Sequence, residues 1–214
     1  LKAQAFIREN LRLEPVPGLS GIRLYTAHSG SRLSQLATGA DAPAPYWAYP
    51  WAGGLALAHH IRTNPGLVRN KRVLDLGAGS GLVAIAAAQA GATAFAAEID
   101  PHGQAAIGLN ADANGVTIKL IPVDLAGPPP TNIDLIAAGD VFYNADVAAV
   151  MLPFLERCSA AGVSVLIGDP ARRDLPLDRL REIASYPVGD VGDARKSTER
   201  IGRIYTPISQ QTSS

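Results

Sequence analysis

A single cysteine in 214 residues has nothing to pair with, so no disulfide framework holds this chain and a reducing compartment is expected. That residue, Cys158, lies among Leu155, Glu156 and Ser159 in an expected helix and is read as packing. No apolar run is long enough to cross a bilayer. Neither charge is in excess: 19 Lys and Arg stand against 19 Asp and Glu, which removes the broad basic surface that nucleic acids or anionic membranes attract, though local patches remain open. Aromatics are scarce at 6% and unevenly placed. With 47% hydrophobic residues, the chain can still bury the core of one soluble globular domain. It begins at Leu1 rather than Met, so residues are expected upstream, a removed targeting peptide among the alternatives.

The stretch Val73-Leu74-Asp75-Leu76-Gly77-Ala78-Gly79-Ser80-Gly81-Leu82, followed by an apolar run to Ala90, organises the rest. A short buried strand from Arg72 to Leu76 breaks at a glycine turn and continues as an alanine-rich helix, which places a ligand at the carboxyl edge of a parallel sheet. A dinucleotide fingerprint would need its third glycine where Leu82 stands; here the glycines fall at 77, 79 and 81, with Asp75 just before them. A carboxylate there suits a cationic or amine-bearing ligand better than a pyrophosphate. The alternative is a tight turn whose glycines serve only positive φ.

Upstream, Ala3 to Leu13 has helical spacing and ends at Pro15-Val16-Pro17-Gly18, before a short strand expected over Ile22 to Tyr25. Residues 26 to 45 read as a long loop, of the kind that forms lids. Both tryptophans and two of the six tyrosines then crowd into Tyr46-Trp47-Ala48-Tyr49-Pro50-Trp51. Pro50 is placed to start a helix whose buried face would carry Trp51, Leu55, Ala58 and Ile61, stopped by Asn64-Pro65-Gly66. Either this segment is an aromatic plug at the end of the sheet, or Trp51 flanks a ligand while Tyr46 or Trp47 walls a channel. His59 and His60 have no carboxylate or cysteine at ligand spacing and read as surface or capping residues, not metal ligands.

Downstream, Ala92 to Ile99 reads as a second strand ending at Glu98, which is placed to bond ribose hydroxyls. Asp100 before Pro101 reads as the cap of a helix running to Ala113. Val116 to Val123 gives a third strand with Asp124 at its tip, either beside an adenine amino group or as an ordinary loop carboxylate. Ile133 to Ala138 is a fourth strand, leading into Gly139-Asp140-Val141-Phe142-Tyr143-Asn144. There, an acid followed three residues later by a phenol suits chemistry; the alternative is that Asp140 caps the helix from Asn144 to Cys158 while Phe142 and Tyr143 pack beneath. Val163 to Ile167 is a fifth strand, Leu177 to Ala184 a helix, and Tyr186 to Val191 with Arg200 to Tyr205 a closing antiparallel pair. Arg172, Arg173, Arg195, Lys196 and Arg200 form either a basic rim or solvated charge. Ser209 to Ser214 is expected to fray.

Several of these motifs together resemble one family. Pro45-Tyr46-Trp47-Ala48 with Trp51 and Gly53-Gly54, Val73 to Gly79, Ile99-Asp100-Pro101, Gly139-Asp140-x-Phe142-Tyr143 and Leu166-Ile167-Gly168-Asp169-Pro170-x-Arg172 are similar to the seven-strand S-adenosylmethionine methyltransferases of the protein-lysine branch, in particular the electron transfer flavoprotein β-subunit lysine methyltransferases. The glycine motif is shared by the whole superfamily; the aromatic segment and the acid-x-x-phenol motif are more specific. Glu98 is one methylene longer than the aspartate usual there, and Asp124 stands where related proteins use Asn. Both keep an acceptor oxygen.

The resemblance implies an α/β Rossmann-like class I fold, a mostly parallel seven-stranded sheet in the order 3-2-1-4-5-7-6 with helices on both faces. It divides the chain into a cover segment with the aromatic helix (1–65), a methyltransferase core (66–208) and a tail (209–214). It puts S-adenosylmethionine, with S-adenosylhomocysteine as product, on Trp51, Asp75, Gly77, Gly79, Gly81, Glu98 and Asp124. Asp140 and Tyr143 become catalytic, and Tyr46, Trp47 and Phe142 contact the acceptor; no metal is implied. The expected partner is the electron transfer flavoprotein β subunit, met by a monomer without nucleic acid or membrane, in a bacterial cytoplasm or a mitochondrial matrix. Another methyl acceptor, such as a ribosomal protein or small amine, and a non-catalytic cofactor-binding module are the alternatives.

Overall fold

Strands covered on both faces must be apolar nearly throughout, and the burial of Val73 to Leu76, of Leu135 to Ala138 and of Val165 to Asp169 follows that rule. The computed structural model describes residues 2–36, 44–189 and 200–208. In chain order its elements are α1 (Lys2–Asn10), β1 (Arg12–Pro15), β2 (Arg23–Thr26), α2 (Ala52–Thr63), β3 (Arg72–Leu76), α3 (Leu82–Gln89), β4 (Thr93–Ala97), α4 (Pro101–Ala113), β5 (Ile118–Leu120), β6 (Leu135–Gly139), α5 (Ala145–Ala160), β7 (Ser164–Asp169), β8 (Leu180–Val188) and β9 (Arg200–Pro207).

The main sheet runs β5-β4-β3-β6-β7-β9-β8. Pairings from β5 to β7 are parallel, and β9 is antiparallel to both β7 and β8. Counted from β3, this is the expected order 3-2-1-4-5-7-6. Alternate residues sort to opposite faces: Val73, Leu135, Ala137 and Leu166 pack with Leu55, Ile61 and Val83 of α2 and α3, while Leu74, Ile136, Ala138 and Ile167 pack with Met151, Phe154 and Leu155 of α5. Helices therefore cover both faces, and the ends of β3, β4, β6 and β7 share one open edge. Cys158 is buried in the second cluster, where burial pushes its thiol up to about 11.

Several boundaries differ from expectation. The first helix stops at Asn10, because Arg12–Pro15 pairs antiparallel with Arg23–Thr26 and extended pairing displaces the helical pattern of Leu11 and Leu13. The helix expected over Leu177 to Ala184 is absent. A short 3₁₀ turn, Leu177–Arg179, leads straight into β8, whose partner in the sheet is β9. Leu177, Leu180, Ile183 and Ala184 imitate helical spacing because the ladder skips Ile183 between Glu182 and Ala184, a bulge that breaks the two-residue period. Trp51 stands at the N-cap of α2 and not on its buried face, whereas Leu55, Ala58 and Ile61 are buried. His60 is buried as well, its Nδ1 2.9 Å from the Tyr186 hydroxyl, with His59 stacked on the same ring. The central part of the loop over residues 26 to 45, the end of the strand expected to reach Val191, Arg195, Lys196 and the tail from Ser209 lie outside the described residues.

Candidate active site

The turn between β3 and α3 is built on glycines at positive φ: 70° at Gly77, 53° at Gly79 and 80° at Gly81. A side chain at Gly79 would be strained, since that φ lies in the left-handed region. The chain returns from Ala78 toward β4, with Gly77 and Ala78 both donating to the Ala97 carbonyl. Asp75 lies beneath the turn and is buried; its Oδ2 accepts the Ala84 amide at 3.0 Å. It therefore caps the first turn of α3, whose own N-cap residue, Gly81, has no side chain to do so. Burial pushes the Asp75 carboxyl up to about 8. The residue expected to hold a ligand thus shapes the turn from below.

Glu98 follows β4 on the same edge. Its Oε2 accepts from Gly79 at 2.8 Å and its Oε1 from Asp100 at 2.9 Å. Two of roughly four acceptor directions are used, which leaves capacity for a vicinal diol. Asp100 caps α4 through His102, the structural role anticipated for it. Asp124, past β5, is exposed and folds back to accept from Ala126 at 2.9 Å.

Asp140 follows β6 in a left-handed conformation, φ 56°, held by donation of its amide to the Gly168 carbonyl at 2.8 Å. It does not cap α5, because Asn144 does that by accepting from Val147 at 2.8 Å. Asp140 instead accepts the Gly54 amide through Oδ2 at 3.0 Å, in the first turn of α2. Glycines allow this approach: a methyl on Gly53 would overlap the Gly168 carbonyl and come within 2.7 Å of Asp140 Oδ2, and one on Gly139 would sit 3.0 Å from Gly54. Arg172 Nη2 reaches Asp140 Oδ1 at 2.6 Å and its Nε at 3.2 Å. Burial raises the carboxyl, opposed by the Arg172 guanidinium and the amides of Gly54 and Gly53.

Arg172 lies over the Trp51 ring at 5.8 Å. Trp51 in turn meets Tyr46 and Tyr49, with ring centroids 6.0 and 5.7 Å apart, and donates its indole hydrogen to the Tyr46 carbonyl at 2.8 Å. Tyr46 and Tyr143 complete the cluster at 5.7 Å, both about half exposed. Burial, then Tyr46, then Glu98 raise the Tyr143 phenol. Trp51, Tyr46, Tyr143 and Asp140 therefore gather on the open edge.

Two expected acceptor contacts fall elsewhere. Trp47 is 2% exposed, packed with Ile7 and Leu11 and stacked on His102, because the chain crosses the glycine turn there and sends its side chain toward α4. Phe142 is fully buried against α5 in the apolar layer of that face. Arg172, read in the sequence as rim or solvated charge, is instead the ion-pair partner of Asp140. Asp169 is also buried, its Oδ1 accepting the Arg172 amide at 2.7 Å while its Oδ2 has no hydrogen-bond partner among the described residues, and burial pushes its carboxyl up to about 6. The signal for both was the run Gly168-Asp169-Pro170-Ala171-Arg172, an acid three residues before a base where a strand stops. Of the remaining rim residues, Arg173 is in solvent, 3.7 Å from Asp174.

A family model described as ribosomal protein L11 methyltransferase (PrmA) matches residues 63–157. The electron transfer flavoprotein beta subunit lysine methyltransferase of Rattus norvegicus is 43% identical over 131 residues, 60% of this chain and 51% of that protein. The protein of that name from Xenopus laevis is 39% identical over 153 residues, 68% of this chain and 62% of its own length. The chain thus spans about half the length of its mammalian relatives. Among solved structures, an S-adenosylmethionine-dependent methyltransferase from Geobacter sulfurreducens, in complex with S-adenosyl-L-homocysteine, aligns with a TM-score of 0.52 at 16% identity, covering 77% of this chain and 96% of that one. At that identity the match speaks for the fold.

Proposed function

We propose that the chain is a class I, seven-strand methyltransferase that transfers methyl groups from S-adenosylmethionine to lysine side chains of the electron transfer flavoprotein β subunit. The observation that carries this reading is the aromatic cluster of Tyr46, Trp51 and Tyr143, joined through Arg172 to Asp140 at the edge where Glu98 ties the glycine turn. The similarity to relatives bearing that activity in their names supports it. The residues suit the cofactor: Glu98 has acceptor capacity for ribose hydroxyls, the turn from Gly77 to Gly81 presents backbone close to the edge, and Asp124 lies past the tip of the neighbouring strand. When bound, the cofactor supplies a sulfonium methyl for in-line displacement.

The chain's own task is to present a neutral amine. A lysine of ordinary pKa, about 10.4, is neutral only about one part in a thousand near neutral pH. Tyr46, Trp51 and Tyr143 strip water from its tip, which lowers that pKa. Asp140 orients the nitrogen and stabilises the positive charge that grows on it, while Tyr143 supplies a wall or a hydrogen bond. Neither is assigned as a general base.

In this reading the protein acts as a monomer on a protein substrate, without metal, nucleic acid or membrane. Its compartment is a bacterial cytoplasm or a mitochondrial matrix, which suits the single buried thiol, Cys158. The match to the ribosomal L11 family favours a second reading, a ribosomal protein as acceptor. Labelled S-adenosylmethionine offered with purified flavoprotein β subunit, and separately with ribosomal proteins, distinguishes the two by mass spectrometry of the labelled band. Asp140→Asn is expected to abolish transfer and leave cofactor affinity largely intact. Undiminished transfer by that variant would remove Asp140 from the mechanism.

A further inference from the structure

Asp140 poses an electrostatic problem that the aromatic cleft alone does not solve. A lone buried carboxylate beside an incoming lysine favours the ammonium, the form with no lone pair to react. The structure places a cation on that carboxylate before any substrate arrives. Arg172 Nη2 and Nε both bond Oδ1, at 2.6 and 3.2 Å, while Oδ2 is turned toward the first turn of α2 through Gly54.

Arg172 is held both at its backbone and at its guanidinium. Asp169 Oδ1 accepts the Arg172 amide at 2.7 Å across a turn in which Ala171 adopts φ 67°, and Trp51 lies under the guanidinium at 5.8 Å. A turn with a non-glycine residue at left-handed φ is strained and persists only when its surroundings hold it. Here the buried Asp169 carboxylate is what holds it. A surface arginine has none of these restraints.

We propose, resting on the lysine-methyltransferase reading above, that Arg172, set by Asp169, is a positioning residue of the acceptor pocket that holds Asp140 as a charge-compensated carboxylate, so that lysine enters as the neutral amine. Arg172 does not touch the reacting atoms in this scheme. It offsets the charge of Asp140, while the helix-facing Oδ2 keeps the carboxylate aimed. Among the described residues, Asp169 at the end of β7 also acts on the pair, and the phenols of Tyr46 and Tyr143 belong to the ring cluster that meets Arg172 through Trp51.

The test compares Arg172→Gln, Arg172→Lys and, as a solvent-exposed control, Arg173→Gln, each checked for folding by circular dichroism. Two readouts are taken: the pH profile of kcat with the flavoprotein β subunit, and a carboxyl carbon NMR titration of Asp140, assigned with Asp140→Asn. In Arg172→Gln the acidic limb of kcat is expected to move up by about one to three pH units, with KM unchanged or lower, and the Asp140 titration to move up with it. Arg172→Lys should restore both in part, and Arg173→Gln should match wild type. The proposal is overturned if Arg172→Gln leaves the Asp140 titration and the kcat limb in place, or if it raises KM alone. Should wild type methylate no protein at all, the functional reading fails, whereas the NMR titration still decides whether Arg172 governs Asp140.

Discussion

One carboxylate joins the glycine turn to the neighbouring strand: Glu98 Oε2 accepts the amide of Gly79 at 2.8 Å while its Oε1 accepts that of Asp100 at 2.9 Å. The side chain that would meet a ribose therefore also fixes the loop around it. Glu98→Ala removes two charge-assisted hydrogen bonds, each worth roughly 1.5–3 kcal/mol, and frees the turn. Titration calorimetry with S-adenosylmethionine is expected to show affinity at least about tenfold weaker, a loss of about 1.4 kcal/mol or more. Glu98→Gln, which keeps one acceptor oxygen, should fall between. Wild-type affinity in the alanine variant would place the nucleoside elsewhere.

Asp75 gives a pH-dependent stability of unusual sign. Its carboxyl, pushed up to about 8 by burial, binds its proton far more tightly than in the unfolded chain, where about 3.9 is normal. Between those values the folded state holds more protons, so this residue's contribution is complete below about pH 4 and is lost as pH rises through about 8. The slope from one such group reaches at most about 1.4 kcal/mol per pH unit. Asp75→Asn keeps an oxygen for the Ala84 amide and cannot ionise. Thermal melts should show the variant losing less stability than wild type from pH 5 to 8, and exceeding it above pH 8. Asp169, raised to about 6, adds a slope of like sign to both proteins and cancels in the comparison. Parallel curves would mean that Asp75 is ionised in the fold.

Much of the fold was legible because strand and helix periods are written in apolar residues. Val73–Leu76 with the glycine turn, Ile136–Ala138 before Asp140, and Asp100-Pro101 at a helix start all carry local signals that tertiary contacts reinforce. The sequence was misleading where pairing overrode period, as at Leu180–Val188, whose bulge at Ile183 mimics a helical stripe. In the site, acids at strand tips could be found, but their partners could not. Nothing local says that Arg172 turns back to Asp140, 32 residues earlier, or that Gly54 donates to the same acid from 86 residues away. Trp47 and Trp51 are chemically alike and four residues apart, and only the path of the chain over Gly79 sends one inward.

At Gly53 the contact of α2 with the sheet tolerates no side chain. A methyl at Gly53 would overlap the Gly168 carbonyl and press on Asp140 Oδ2 at 2.7 Å, and the obstacle is backbone that cannot swing aside. Gly53→Ala is expected to destabilise the fold by about 1–3 kcal/mol or more in denaturant titrations and to weaken methyl transfer by moving Asp140. Gly66, where an added methyl meets nothing within 4 Å, supplies the control, and Gly66→Ala should lie within about 0.5 kcal/mol of wild type. Equal stabilities for the two would show that α2 can slide on the sheet.

Tyr46 and Trp47, adjacent in sequence, should separate function from stability. Trp47 is buried among Ile7, Leu11, Ala106 and Leu109 and stacks on His102 with centroids 6.1 Å apart, so truncation opens a cavity beneath the N-terminal cover. Trp47→Ala is expected to lose about 3–5 kcal/mol of unfolding free energy, read from denaturant midpoints. Tyr46 is half exposed, and among the described residues its ring meets those of Trp51 and Tyr143. Tyr46→Ala should stay within about 0.5 kcal/mol of wild-type stability. Its effect should appear in KM for the protein acceptor, with cofactor affinity preserved, because in the proposed reading its half-exposed ring lines the acceptor's entry. If Tyr46→Ala instead destabilised the fold and left KM unchanged, the exposed ring would be part of the seal over the sheet, and the acceptor would have to enter by another face.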